Sequence, residues 1–229
     1  MAEGDEMDCL DEPSSPPCYI DEADPAYMGL SPVDRAAEGS GLQRWRSAER
    51  ARLIEARRAI DPNVRKRYDR LIITKAKSFI GQVEGLMIAL YWPIKGEPDL
   101  RPLAVEIARA GGTTALPVVT APGLPLAFRF WRRGDPLLRG VWNIPVPNIQ
   151  APLVTPDVVI APVVGFDSAC YRLGYGGGYY DRTLVQLPPS TRAMGVGYNA
   201  ARIGSIYPQS YDIPMDIVIT ESGLNRSQS

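Results

Sequence analysis

Val158–Val164 reads VVIAPVV, and Arg172–Arg182, a few residues on, reads RLGYGGGYYDR. The first stretch is a short apolar run, the pattern of a strand buried on both faces. The second runs three glycines, Gly176 to Gly178, straight into Tyr179, Tyr180 and Asp181. A helix is expected from about Tyr179 to Gln186. Strand, glycine loop and helix in that order form one unit of an α/β sheet. Glycines let a backbone approach a ligand closely. A helix that opens directly after them turns unbonded N–H groups and a positive dipole end toward an anion. The stretch matches neither GxxxxGK[ST] nor GxGxxG, because no Lys-Ser/Thr pair follows the glycines and Tyr179 stands where the third glycine of the second pattern falls.

The same alternation continues on both sides. Gln43–Ile60 and Val64–Ile80 carry helical spacing, with Arg46, Arg50 and Arg57 on one face of the first. Leu86–Trp92 (LMIALYW, closed by Pro93), Leu116–Thr120, Leu126–Trp131, Met194–Tyr198 and Ile217–Thr220 read as strands, and Leu100–Ala110 reads as a helix stopped by Gly111 and Gly112. The expected fold is α/β, a three-layer α/β/α sandwich around a largely parallel sheet. Ligands of such sheets bind outside the carboxyl ends of the strands. That rule points to 93–99, 165–181 and the residues from Asn199 onward.

Composition narrows the chemistry. The chain has 229 residues, 45% of them hydrophobic, and no histidine. The commonest general base and the commonest transition-metal ligand are therefore missing, leaving carboxylates, Lys, Arg, Tyr and hard cations such as Mg²⁺. Three cysteines, Cys9, Cys18 and Cys170, fit no zinc spacing and suit a reduced, cytoplasmic compartment. No run of about 18 apolar residues exists, so no membrane partner is expected. Residues 1–41 hold 11 acidic residues against one basic, Arg35, which leaves 15 acids and 24 bases elsewhere, a net +9. Residues 1–41 are read as an acidic, disordered tail and 42–229 as one domain. The basic body suits an anionic small molecule; no nucleic-acid partner is expected, because interleaved aromatic and basic RNA-binding motifs are absent.

Val164–Leu184, VGFDSACYRLGYGGGYYDRTL, resembles the signature of the 5-formyltetrahydrofolate cyclo-ligase family. The likeness extends to YWPIKGEPDLRPL (Tyr91–Leu103), WNIPVP (Trp142–Pro147) and IPMDIVITE (Ile213–Glu221). The resemblance implies an ATP- and Mg²⁺-dependent enzyme that converts 5-formyltetrahydrofolate to 5,10-methenyltetrahydrofolate with release of ADP and phosphate. It implies that Gly174, Tyr175, Gly176, Gly177, Gly178, Tyr179 and Tyr180 wrap the ATP phosphates, joined by Arg46, Arg50 and Arg172. Glu97, Trp142, Tyr179 and Tyr180 would border the folate, and Asp181 and Asp216 would hold Mg²⁺.

Three features depart from the family pattern. Gly177 stands where many members carry Lys, Arg46 replaces the usual Lys of the first helix, and the acidic tail has no counterpart in the family core. Two alternatives remain beside the main reading: an ATP-dependent enzyme of the same fold acting on another substrate, and a non-catalytic binder of folate or nucleotide.

Overall fold

The computed structural model describes residues 41–227. The acidic tail expected over 1–41 lies outside them, except for Gly41, the first residue of the first helix. Among the described residues there are four α-helices: α1 (Gly41–Arg58), α2 (Pro62–Ile80), α3 (Arg101–Arg109) and α4 (Tyr179–Gln186). The eight strands of the main sheet are β1 (Met87–Ala89), β2 (Thr113–Val119), β3 (Leu126–Phe130), β6 (Leu153–Val154), β7 (Val158–Pro162), β10 (Arg192–Val196), β11 (Ile217–Ile219) and β12 (Leu224–Arg226). Two small ribbons stand apart, β4 (Leu137–Arg139) with β5 (Pro145–Pro147) and β8 (Gly165–Phe166) with β9 (Arg172–Leu173).

The main sheet runs β12-β11-β10-β7-β1-β2-β3-β6. Its five central strands, β11 to β2, are parallel throughout. β12, β3 and β6 are antiparallel additions at the two sides. The reason for β3 is local. Only the residues 120–125 separate it from β2, far fewer than a parallel crossover needs.

Side chains alternate across the central strands, and the two faces differ in size. Ile88, Leu90, Val158, Ile160, Met194, Val196, Ile217 and Ile219 pack against α2 and α3. Ala89, Ala115, Val159, Ala161, Ala193 and Val218 lie on the opposite face, where Tyr180 and Leu184 of α4 pack. Small residues on that face let α4 sit close to the sheet. The result is the three-layer α/β arrangement expected from the sequence.

The helices begin and end where their sequences dictate. The Asp61 carboxylate caps α2 by accepting the N–H groups of Asn63 and Val64, with Pro62 in the first turn. Gly81, at φ 77°, ends it. α3 stops before Gly112, where a Cβ would come within 2.7 Å of Ile107 Cγ2 and of the Val83 carbonyl oxygen. No helix among the described residues is long and apolar enough to cross a membrane.

Candidate active site

The carboxyl ends of β1, β7 and β10 lead into three loop systems, and α1 lies across them. Leu53 and Ile54 of α1 pack on Val164, Leu173, Ile203 and Ile206. Gly165 permits this seat, because a Cβ there would fall 2.7 Å from Leu53 Cδ1. Its basic face, Arg46, Arg50 and Arg57, then reaches each loop in turn.

Arg46 is 7% exposed. Its guanidinium donates to the carbonyls of Ile206 (3.2 Å) and Tyr207 (2.8 Å) and pairs with Asp212 at 2.6 Å. This expected phosphate cation thus straps the 206–212 loop to α1. Arg50 is different. Its Nε–H donates to the Gly174 carbonyl at 2.8 Å, and its guanidinium lies 3.5–3.7 Å from where a Gly176 Cβ would stand. Burial, and then the neighbouring charge of Arg46, push its pKa down to about 10. A cation held against its charge by its surroundings is stabilised by an incoming anion.

Glu97 follows β1 in a turn closed by the Glu97 N–H and the Ile94 carbonyl. Lys95 (φ 46°) and Gly96 (φ 77°) both take left-handed backbone there. The turn aims Glu97 inward, where it is 3% exposed. Its Oε2 accepts the Ile94 N–H at 2.9 Å, and its Oε1 accepts the Tyr175 hydroxyl at 2.6 Å. Arg57 donates to the same hydroxyl at 2.7 Å and to the Lys95 carbonyl at 3.0 Å, while its nearest nitrogen stands 3.9 Å from Glu97. Burial pushes the Glu97 pKa up, against the pull of Arg57, Tyr175 and the Ile94 N–H.

The glycine loop is drawn tight around arginines. Gly174 leaves room for Arg172, whose Nη1 lies 2.7 Å from the missing Cβ; Gly178 does the same for Arg182 at 2.8 Å. Gly176 and Gly178 adopt φ of 102° and 62°. Gly177 is buried, and its carbonyl accepts from Arg182. α4 starts at Tyr179 as expected, and no side chain caps its N-terminus. The Nε groups of Arg172 and Arg182 are buried without a hydrogen-bond partner. Two orphaned cationic donors beside an uncapped helix end are what an anionic ligand satisfies.

The aromatic residues converge on the same place. Trp142 sits at the tip of the β4–β5 ribbon, where it and Asn143 take φ of 56° and 59°. Its ring meets Tyr179 edge-on, centroids 5.7 Å apart. Arg172 stacks over Tyr180 at 5.1 Å, and Arg182 over Tyr179 at 5.2 Å.

The two expected metal ligands are otherwise engaged. Asp181 Oδ2 pairs with Arg172 at 2.9 Å and its Oδ1 accepts the Ile213 N–H. Asp216 is exposed at the amino end of β11, where its Oδ2 accepts the Ala193 N–H at 2.7 Å. Among the described residues no three carboxylates or thiols gather as a metal site. As placed, Asp181 and Asp216 do not fit a resident Mg²⁺.

Sequence reasoning singled out Arg57 only as one of a basic stripe, and it missed Asp167 and Asp212. Asp167 lies inside the quoted signature. It is buried and accepts three N–H groups, from Ala169, Tyr171 and Ile206, so it ties the loop after β8 to the 206 segment. A buried carboxylate with only backbone donors leaves no pairing signal in a sequence.

A parallel-sheet α/β enzyme with a glycine loop, buried arginines and an aromatic wall at the carboxyl ends of its strands is the class that this fold and site define. The profile of the 5-formyltetrahydrofolate cyclo-ligase family matches residues 42–221, and the chain belongs to that family. It is 29% identical over 174 residues to the protein of Escherichia coli (strain K12) named 5-formyltetrahydrofolate cyclo-ligase, covering 73% of this chain and 96% of that one. It is 28% identical over 189 residues to the protein of that name from Mycolicibacterium smegmatis, covering 77% and 94%. The solved structure of the Aquifex aeolicus 5,10-methenyltetrahydrofolate synthetase superposes with a TM-score of 0.68 at 29% identity, covering 80% of this chain and 93% of that one.

Proposed function

We propose that this enzyme uses ATP to close 5-formyltetrahydrofolate to 5,10-methenyltetrahydrofolate, releasing ADP and phosphate. The observation that carries the nucleotide half is the pair of orphaned Arg172 and Arg182 donors flanking Gly174–Gly178, with Arg50 above them. The folate half rests on Glu97, Trp142, Tyr179 and Tyr180, which surround the same loop.

The formyl oxygen is a poor leaving group. Transfer of the γ-phosphoryl group to it breaks the bond to the ADP oxygen and makes the formyl carbon electrophilic. N10 then attacks that carbon, loses its proton, and phosphate departs with the former formyl oxygen. Phosphoryl transfer asks mainly for positioning and charge neutralisation. Arg50, Arg172, the loop N–H groups and the α4 N-terminus supply both. Glu97 accepts N–H donors of the pterin and fixes its orientation. Mg²⁺, if bound together with ATP, would add neutralisation of the phosphate charge. Asp181 keeps Arg172 in place.

The test is near-ultraviolet absorbance of purified protein with 5-formyltetrahydrofolate and Mg²⁺, with and without ATP. An ATP-dependent rise of the methenyl band is expected. ATP binding without that rise would retain the nucleotide loop and remove the folate assignment.

A further inference from the structure

Tyr175 is the single side chain with a Cβ between Gly174 and Gly178, and it joins two parts of the site. Its backbone belongs to the phosphate loop, yet its hydroxyl donates to Glu97 and accepts from Arg57. α1 grips the loop at two adjacent points, the Gly174 carbonyl by Arg50 and the Tyr175 hydroxyl by Arg57. Glycines flank it directly, and Gly176 is exposed, so the backbone on either side can turn; to swing away, the ring must leave its packing on Leu53, Val164, Leu173 and Ile206. Meanwhile Glu97 is sealed from solvent with Tyr175 on the oxygen that Ile94 does not use.

We propose that Tyr175 is a latch coupling the two substrates: its hydroxyl covers Glu97 until phosphate binding redraws the loop and releases the acid for the pterin. This rests on Glu97 being the folate carboxylate. An arriving phosphate competes for Arg50, which lets go of the Gly174 carbonyl and frees the amino end of the loop. Tyr175 then leaves Glu97 Oε1, and the N–H donors of the pterin replace its O–H. The donor count at Glu97 is conserved in the exchange, so the buried carboxylate is never left bare. The two ligands therefore bind with positive, reciprocal coupling. Tyr175 is a positioning residue in this scheme, acting through Glu97.

The test compares the whole protein with Tyr175→Phe, which keeps the ring and removes the latch. Binding of 5-formyltetrahydrofolate is measured by calorimetry with and without a non-hydrolysable ATP analogue. In the unaltered protein the analogue is expected to tighten folate binding by about tenfold or more, the scale of one hydrogen bond to a charged group. In Tyr175→Phe folate should bind tightly without the analogue, and the gain should fall to about twofold or less. Equal coupling in both proteins, or loss of folate binding in the variant under both conditions, overturns the proposal. Amide exchange of the Ile94–Glu97 turn gives a readout that needs no folate. The analogue should speed that exchange in the unaltered protein and leave it unchanged, already fast, in Tyr175→Phe. If folate does not bind at all but the exchange responds this way, the latch stands and the folate reading falls. If the exchange does not respond, the latch falls.

Discussion

Asp69 shows how much one carboxylate can shift the response to pH. It accepts the Tyr198 hydroxyl at 2.9 Å, and burial pushes its pKa up to about 6. The folded value lies above the unfolded one of about 3.9, so folding takes up a proton between about pH 4 and 6. The cost to stability is absent below that window and complete above it. Between pH 5 and 7 the unaltered protein should lose about 1 kcal/mol that Asp69→Asn keeps, read from denaturant midpoints at the two pH values. Asp181 permits a second test. Asp181→Asn weakens the hold on Arg172 and should lower stability by about 1–3 kcal/mol together with turnover. The concentration of Mg²⁺ giving half-maximal rate should stay put. A large rise in that concentration with stability intact would make Asp181 a metal ligand after all.

At the scale of elements, α1 is the piece on which the site depends. It touches the loops through Leu53 and three arginines rather than through the sheet. Leu53→Ala should cost about 2–5 kcal/mol and weaken ATP binding, because the grip on Gly174 and Tyr175 passes through the seat of this helix. Within α1 the arginines divide their work. Arg46→Lys cannot reach the two carbonyls and Asp212 together. It should lower the midpoint of thermal unfolding while changing the Kd for ATP less than Arg50→Lys does. Helical spacing alone placed Arg46 and Arg50 on one face and could say no more, since their partners, Asp212 and Gly174, lie 166 and 124 residues away. The helix expected from Tyr179 to Gln186 is observed with those bounds, because its start is written locally in the glycines. The Glu97–Tyr175–Arg57 cluster was not legible as a cluster, because Arg57 belongs to a basic helix face, Tyr175 to the glycine stretch and Glu97 to a third segment, and nothing local joins the three.

For the whole molecule, the unequal faces of the sheet make opposite predictions. Ala161 lies on the face shared with Tyr180 and Leu184. Ala161→Leu overfills that layer, should cost about 1–3 kcal/mol or more, and should lower kcat by displacing the start of α4. Ile160, its neighbour, faces α2 and α3 instead. Ile160→Val should cost about 0.5–1.5 kcal/mol with kcat unchanged. The layered α/β plan was readable because buried parallel strands are continuous apolar runs. The outer strands were less so. β12 and β6 are three and two residues long, too short to set up an alternating pattern, and the antiparallel sense of β3 follows from the length of its connection rather than from its own residues.

Those short outer strands also govern how copies of the chain meet. A sheet edge recruits other chains by offering a row of unpaired N–H and C=O groups. Here the five parallel strands are all interior, and each flank ends in a fragment that offers only two or three residues. A foreign strand would find no more than a few hydrogen bonds on either flank, too few to outweigh the entropy of fixing it. Crowded or partly heated samples should therefore resist growth of cross-β fibres from the folded state, and fibres should form only once unfolding has exposed the central strands.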